Sequence, residues 1–113
     1  MTTYSSGLFA EWIARNYLRL HGYRILAARY ITGRHTGRAE IDIIARRGNI
    51  IAFVEVKKRP SAMAGLDAVS FGQSLRLRRA AETWLSRARW TGDARFDIIV
   101  VSGLRTRWFR NAV

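Results

Sequence analysis

Glu40-Ile41-Asp42-Ile43-Ile44-Ala45 and Ile50-Ile51-Ala52-Phe53-Val54-Glu55-Val56-Lys57 are two β-branched runs separated only by Arg46-Arg47-Gly48-Asn49. Strands favour such residues and a short Gly-containing turn closes an antiparallel pair, so the spacing predicts a hairpin. Successive side chains of a strand point to opposite faces. Glu55 and Lys57 therefore share a face with Ile51 and Phe53, while Ile50, Ala52, Val54 and Val56 leave the other face wholly apolar. Glu40 and Asp42 share a side of their own strand. If the hairpin sets Asp42 near Glu55, two carboxylates and an ammonium meet beside a hydrophobic sheet. An ionised group there is costly unless it is paired or bound to metal.

Upstream, Phe9, Ile13, Tyr17 and Leu20 recur three or four apart, which predicts an amphipathic helix over 8–20 with that stripe toward the core and Gly22 as its stop. A strand follows over 24–30, then a turn-rich loop, Thr32-Gly33-Arg34-His35-Thr36-Gly37-Arg38. Downstream of the hairpin, Pro60, Ala62, Gly65 and Gly72 mark a further loop. A second helix is expected over 73–88, burying Leu77, Ala80 or Ala81, Trp84 and Leu85 and turning Arg78, Arg79, Glu82, Ser86 and Arg89 outward. Residues 96–102 read as a fourth strand and Arg107-Trp108-Phe109-Arg110 as a fifth. The class is α/β, ordered α, three strands, α, then one or two strands. No repeat or linker divides the chain, so one domain over 7–113 is expected, with 1–6 as a disordered amino terminus.

The composition narrows the chemistry. Of 113 residues, 20 are Lys or Arg and 8 are Asp or Glu, a formal charge of +12, while 49% are hydrophobic. Such a chain can build a core and still concentrate polyanions at its surface, and nucleic acid is the favoured polyanion. Cysteine is absent, which excludes disulfides, thiolate catalysis and Cys-containing zinc sites. His21 and His35 form no helical pair, so any metal is held mainly by oxygen. No apolar stretch approaches a membrane span, and the first seven residues lack the pattern of a secretory signal. A cytoplasmic protein is expected.

Oxygen ligands suit Mg²⁺ or Mn²⁺. Asp42 and Glu55 are the candidate ligands, and Lys57 is placed to orient or help deprotonate a water for attack on phosphorus. Glu11, the first helix's acid, either reaches this site or pairs with Arg15. Against this stands a plainer account, in which Glu55 and Lys57 form a solvated ion pair on an edge strand. The scarcity of acids, and their placement on elements that should pack together, favours a site. Arg76, Arg78 and Arg79 are candidate contacts to a phosphate backbone. The rings of Trp12, Trp84, Trp90 and Trp108 could stack on unpaired bases, with Trp84 most simply a core residue.

As a combined order, these motifs resemble the PD-(D/E)xK nuclease superfamily, and specifically its YraN-type bacterial family. The resemblance rests on Ala10-Glu11, Ala14-Arg15 and Tyr17-Leu18, on His21-Gly22-Tyr23-Arg24-Ile25-Leu26, and on Ala39-Glu40-Ile41-Asp42-Ile43-Ile44-Ala45. It continues through Phe53-Val54-Glu55-Val56-Lys57, Leu77-Arg78-Arg79-Ala80-Ala81, Arg95-Phe96-Asp97 and Arg110-Asn111-Ala112. It implies a restriction-endonuclease-like αβββαβ core with a mixed sheet flanked by helices. It also implies divalent metal on Asp42, Glu55 and the carbonyl of Val56, with Lys57 assisting the water and Glu11 beside them. Ala39 stands where the family usually has Gly. At Phe71-Gly72-Gln73-Ser74 the family's Pro and basic pair are replaced, and Gln73 is left as the matching polar contact to nucleic acid. Asp97 matches the family and is equally suited to anchoring the fourth strand.

The function expected is therefore a nucleic-acid-binding, Mg²⁺- or Mn²⁺-dependent nuclease acting on phosphodiester bonds, with DNA favoured and a two-fold homodimer suited to cutting both strands. The alternatives are a non-enzymatic nucleic-acid-binding module with the same fold and a degenerate site, and a basic assembly factor whose acids are structural.

Overall fold

Val, Ile and Phe dominate the central runs because both faces of the sheet they form are covered. In the computed structural model, residues 3–32, 39–59 and 71–111 are described, with backbone alone at 3–6 and 71–74. The elements are α1 (Thr3–Leu20), β1 (Arg24–Thr32), β2 (Ala39–Arg47), β3 (Ile50–Lys58), α2 (Phe71–Ala88), β4 (Asp93–Ser102) and β5 (Arg105–Phe109). The sheet runs β1-β2-β3-β4-β5, antiparallel throughout except for the parallel pair β3 and β4, between which the chain carries α2. This is the mixed α/β sheet expected, consistent with a restriction-endonuclease-like core.

The helices cover opposite faces. Ala10, Ala14 and Leu18 of α1 pack on Ile43, Ala45, Ala52, Val54, Ile99 and Val101. Leu77, Ala80 and Ala81 of α2 pack on Ala39, Ile41, Ile44, Ile51 and Phe53, with Trp84 and Leu85 partly buried beside them. The outward residues of α2 are as the periodicity predicts. On α1 the contact face is turned from the one expected: Phe9 and Leu20 are exposed, and Ile13 and Tyr17 only flank the core. Small alanines let the helix backbone approach the sheet, which outweighs burying the larger side chains along the neighbouring stripe.

Helix α1 also begins earlier than expected, at Thr3, so the backbone of 3–6, expected as a disordered terminus, is helical, while Met1 and Thr2 lie outside the described residues. Likewise α2 takes in Phe71 and Gly72, and the remainder of the expected loop over 60–70 lies outside the described residues. Both helices end alike. Tyr23 N–H reaches back to Leu18 O and Gly22 N–H to Arg19 O, each at 3.0 Å, with Gly22 at φ 84°. Trp90 N–H meets Leu85 O at 3.0 Å and Arg89 N–H meets Ser86 O at 3.2 Å, with Arg89 at φ 52° in the position that glycine normally fills.

Asp97, fully buried in the middle of β4 opposite Val54, ties neighbouring segments together. Its carboxylate accepts from Arg95 Nε at 2.8 Å, from Trp108 Nε1 at 2.8 Å and from the Asn111 backbone N–H at 2.8 Å, and Arg95 in turn donates to the Tyr23 hydroxyl at 2.9 Å. The carboxylate holds Arg95 protonated, well above the ordinary arginine range. These contacts join β4 to β5, to Asn111 beyond it and, through Arg95, to Tyr23 just before β1, so Asp97 is a structural anchor.

Two stability predictions follow from these contacts. Asp97→Ala strands the Arg95 guanidinium and two donors, and urea unfolding should show a loss of about 3–5 kcal/mol. Arg89→Gly should raise stability by about 0.5–1 kcal/mol in the same assay, the left-handed penalty less glycine's extra chain entropy.

Candidate active site

The site lies where two neighbouring strands part. Pairing between β2 and β3 runs from Arg47↔Ile50 to Ile43↔Val54 and goes no further. Beyond it the Val56 N–H donates to Asp42 Oδ2 at 2.8 Å, so a side-chain carboxylate receives the β3 donor. The alternation of β2 changes phase at the same point: Ala39 and Ile41 pack on the α2 side, Ile43 and Ala45 on the α1 side. Across from Asp42, between the pairs Ala28↔Ile43 and Tyr30↔Ile41, stands Arg29 of β1 at φ 56°. A left-handed arginine inside a strand costs roughly 1–2 kcal/mol and persists only where its surroundings hold it.

Arg29 is held by Glu11, whose Oε2 accepts from Nη2 at 2.9 Å and from Nε at 3.3 Å. Glu11 is one of two buried charged residues among those described, the other being Asp97. It thus pairs with Arg29 of β1, not with Arg15 one turn on. On β3, Lys57 Nζ lies 2.9 Å from Glu55 Oε1, and the two side chains are only 13% and 12% exposed. The pair is therefore withdrawn from solvent, unlike the solvated edge pair of the plainer account. Beside Glu55, an apolar recess is walled by Ile41, Phe53, Leu77 and Phe96, with Asp42 outside it.

Burial pushes the Asp42 carboxyl up to about 7, against the Val56 hydrogen bond that favours the charged form, and Glu55, Glu11 and Glu40 add repulsion in that order. Asp42 is therefore within electrostatic reach of Glu55 and Glu11, the acids that the sequence singled out. Among the described residues no three Asp, Glu or His side chains form a ligating cluster. Mg²⁺ is commonly held by one or two carboxylates, with waters and main-chain oxygen completing the shell. Asp42, Glu55 and the Val56 carbonyl are oxygen donors of the type such an ion takes, and the carboxylate repulsion that adds to burial at Asp42 is of the kind a dication relieves.

The expected nucleic-acid contacts lie on α2, the helix whose Leu77 walls the recess beside Glu55. Arg76, Arg78 and Arg79 are exposed on the outer side of α2, with the Arg78 guanidinium 5.3 Å from the Phe96 ring centroid. The Gln73 side chain lies outside the described residues. Ala39 is buried in the α2-side core, where its methyl packs. Sequence reasoning missed Arg29, for which the available signal was a lone cation within the apolar run of β1.

Residues 10–101 match the family described as "Uncharacterised protein family UPF0102". The chain belongs to the UPF0102 family. This is the YraN-type family that the motifs resemble. Among UPF0102 relatives, the protein Atu0303 of Agrobacterium fabrum is 50% identical over 97 residues, covering 84% of this chain and 76% of the relative. A UPF0102 protein of Chelativorans sp. is 46% identical over 109 residues, covering 93% and 82%. The UPF0102 protein mlr4633 of Mesorhizobium japonicum is 44% identical over 107 residues, covering 93% and 81%. Among the described residues of this UPF0102 chain, no helix is long and apolar enough to cross a membrane.

Because the folded protein holds the Asp42 proton more tightly than the unfolded chain does, Asp42 favours folding below about pH 4. It loses that contribution as pH rises to about 7. The metal-free parent should therefore fall in stability relative to Asp42→Asn across this window, by up to a few kcal/mol. Paired urea titrations at pH 4 and pH 8 check this, and parallel curves would contradict it.

Proposed function

We propose that this chain is a divalent-metal-dependent nuclease that hydrolyses phosphodiester bonds, using Mg²⁺ or Mn²⁺, with DNA as the favoured substrate. What supports the reading is the gathering of Asp42, Glu55 and Lys57 at the parting of β2 and β3, with Glu11 within electrostatic reach. The preference for DNA comes from the resemblance to the PD-(D/E)xK superfamily, and the +12 charge suits a polyanionic substrate.

In this reading Asp42 and Glu55 hold the ion, with the Val56 carbonyl as a third oxygen. When bound, such an ion lowers the pKa of a water and screens the phosphoryl oxygens. Lys57, held by Glu55 at 2.9 Å, presents its ammonium to orient the attacking water. Glu11 keeps the Arg29 cation beside the acids at 2.9 Å. Arg76, Arg78, Arg79 and Gln73 contact the phosphate backbone along α2. Cutting both strands of a duplex is served by a two-fold pair of chains.

The lack of a three-side-chain ligating group among the described residues favours a second reading, a binding module whose site no longer turns over. Incubating branched, duplex and single-stranded labelled substrates with Mn²⁺ and Mg²⁺ separates the two. Cleavage by the parent, reduced by a factor of about 10² or more in Glu55→Ala and Lys57→Ala, supports the nuclease. Binding without cleavage on every substrate supports the module. As a readout independent of turnover, Mg²⁺ or Mn²⁺ should raise the melting temperature of the parent and leave Asp42→Asn unmoved.

A further inference from the structure

The outer face of α1 has a composition that helix packing does not explain. Trp12 and Phe9 are 55% and 43% exposed, and their rings lie nearly parallel, 15° apart with centroids at 6.0 Å. Leu8, Trp12, Arg15 and Arg19 are spaced i, i+4, i+7 and i+11, so they form one stripe along the helix. Apolar and aromatic groups occupy its first half and guanidinium groups its second. The stripe faces away from the sheet, which is contacted by Ala10, Ala14 and Leu18. Glu11, next to Trp12 in sequence, turns inward to Arg29 and lies within electrostatic reach of Asp42.

Charge decides which occupant suits this surface. A second copy would bring another molecule of charge +12, with its own Arg15 and Arg19, against the same residues. A nucleic acid supplies phosphates for those guanidinium groups and flat bases for the rings. Bases in a duplex are already stacked on each other and present only their edges, whereas an unpaired base offers its π-face to an aromatic side chain.

The geometry points to the outer face of α1 as a binding surface for unpaired nucleotides, with bases stacking on Phe9 and Trp12 and phosphates running along Arg15 and Arg19. It would take single-stranded or locally opened nucleic acid. This inference rests on the nucleic-acid part of the proposed function and adds the substrate class.

The test compares the binding of a labelled oligothymidylate with that of a duplex of equal length, for the parent, Trp12→Ala, Trp12→Phe and Phe9→Ala, with circular dichroism confirming the fold. Trp12→Ala should weaken single-strand binding by about tenfold to a hundredfold. Trp12→Phe should restore most of that loss, and duplex affinity should change less than about threefold. Equal losses on both substrates, or none on either, would overturn the stacking surface while leaving the nuclease reading intact. A parent that binds neither substrate would overturn both. If sedimentation shows that the parent self-associates, that Trp12→Ala abolishes the association and that single-strand binding is unchanged, the surface belongs to a second copy and the inference fails.

Discussion

The Val56 N–H bound to the Asp42 carboxylate is the contact on which the candidate site depends. A hairpin zipped to its end would satisfy that donor with a backbone carbonyl and turn its side chains alternately up and down. Here pairing stops at Ile43↔Val54, and a side chain completes the ladder. The strands separate without leaving an orphaned donor, which a buried backbone group would otherwise make costly. Separation lets the Asp42 carboxylate reach the β3 backbone at Val56, between Glu55 and Lys57 in the chain.

Strain and charge are concentrated at this same point. Arg29 adopts its left-handed conformation across from the break, and its guanidinium runs to Glu11 on α1. A helix, an edge strand and the central hairpin are thus tied together by charged groups in a part of the molecule that is otherwise apolar. Asp42 carries the electrostatic consequence: removed from water above all, and repelled in addition by Glu55, Glu11 and Glu40, its carboxyl is pushed up to about 7. On β4, the strand beside β3, Asp97 is paired in register with Val54 and buried more deeply, yet it is satisfied by Arg95, Trp108 and Asn111. The contrast separates the two acids: Asp97 is met by a guanidinium and two further donors, whereas Asp42 is partly buried with the Val56 N–H as its donor and other carboxylates within electrostatic reach.

The same logic applies to the helix faces. Alanines at 10, 14, 80 and 81 bring both helices close to the sheet, so the bulkier residues of α1 are displaced to its flanks and outer side. Phe9 and Trp12 are exposed as a result, with Trp12 on the same stripe as Arg15 and Arg19. A packing choice on the inner face of α1 therefore sets what its outer face offers to a ligand.

Much of this was legible in the sequence because it is local. The order of elements, the hairpin around Gly48, the glycine that ends α1, the buried stripe of α2 and the shared face of Glu55 and Lys57 all follow from spacing and turn chemistry within a few residues. The acids themselves stood out because charge within a β-branched run needs a reason. Tertiary structure alone decided which stripe of α1 meets the sheet, since that is a competition between close backbone approach and burial of large side chains. It alone decided that Glu11 reaches Arg29 across 18 residues of chain instead of Arg15 one turn away. Where β2 leaves β3 was likewise beyond the sequence, because the break is set by one hydrogen bond between a side chain and a backbone 14 residues apart. Contacts of that range become available only once the sheet has twisted and both helices have docked.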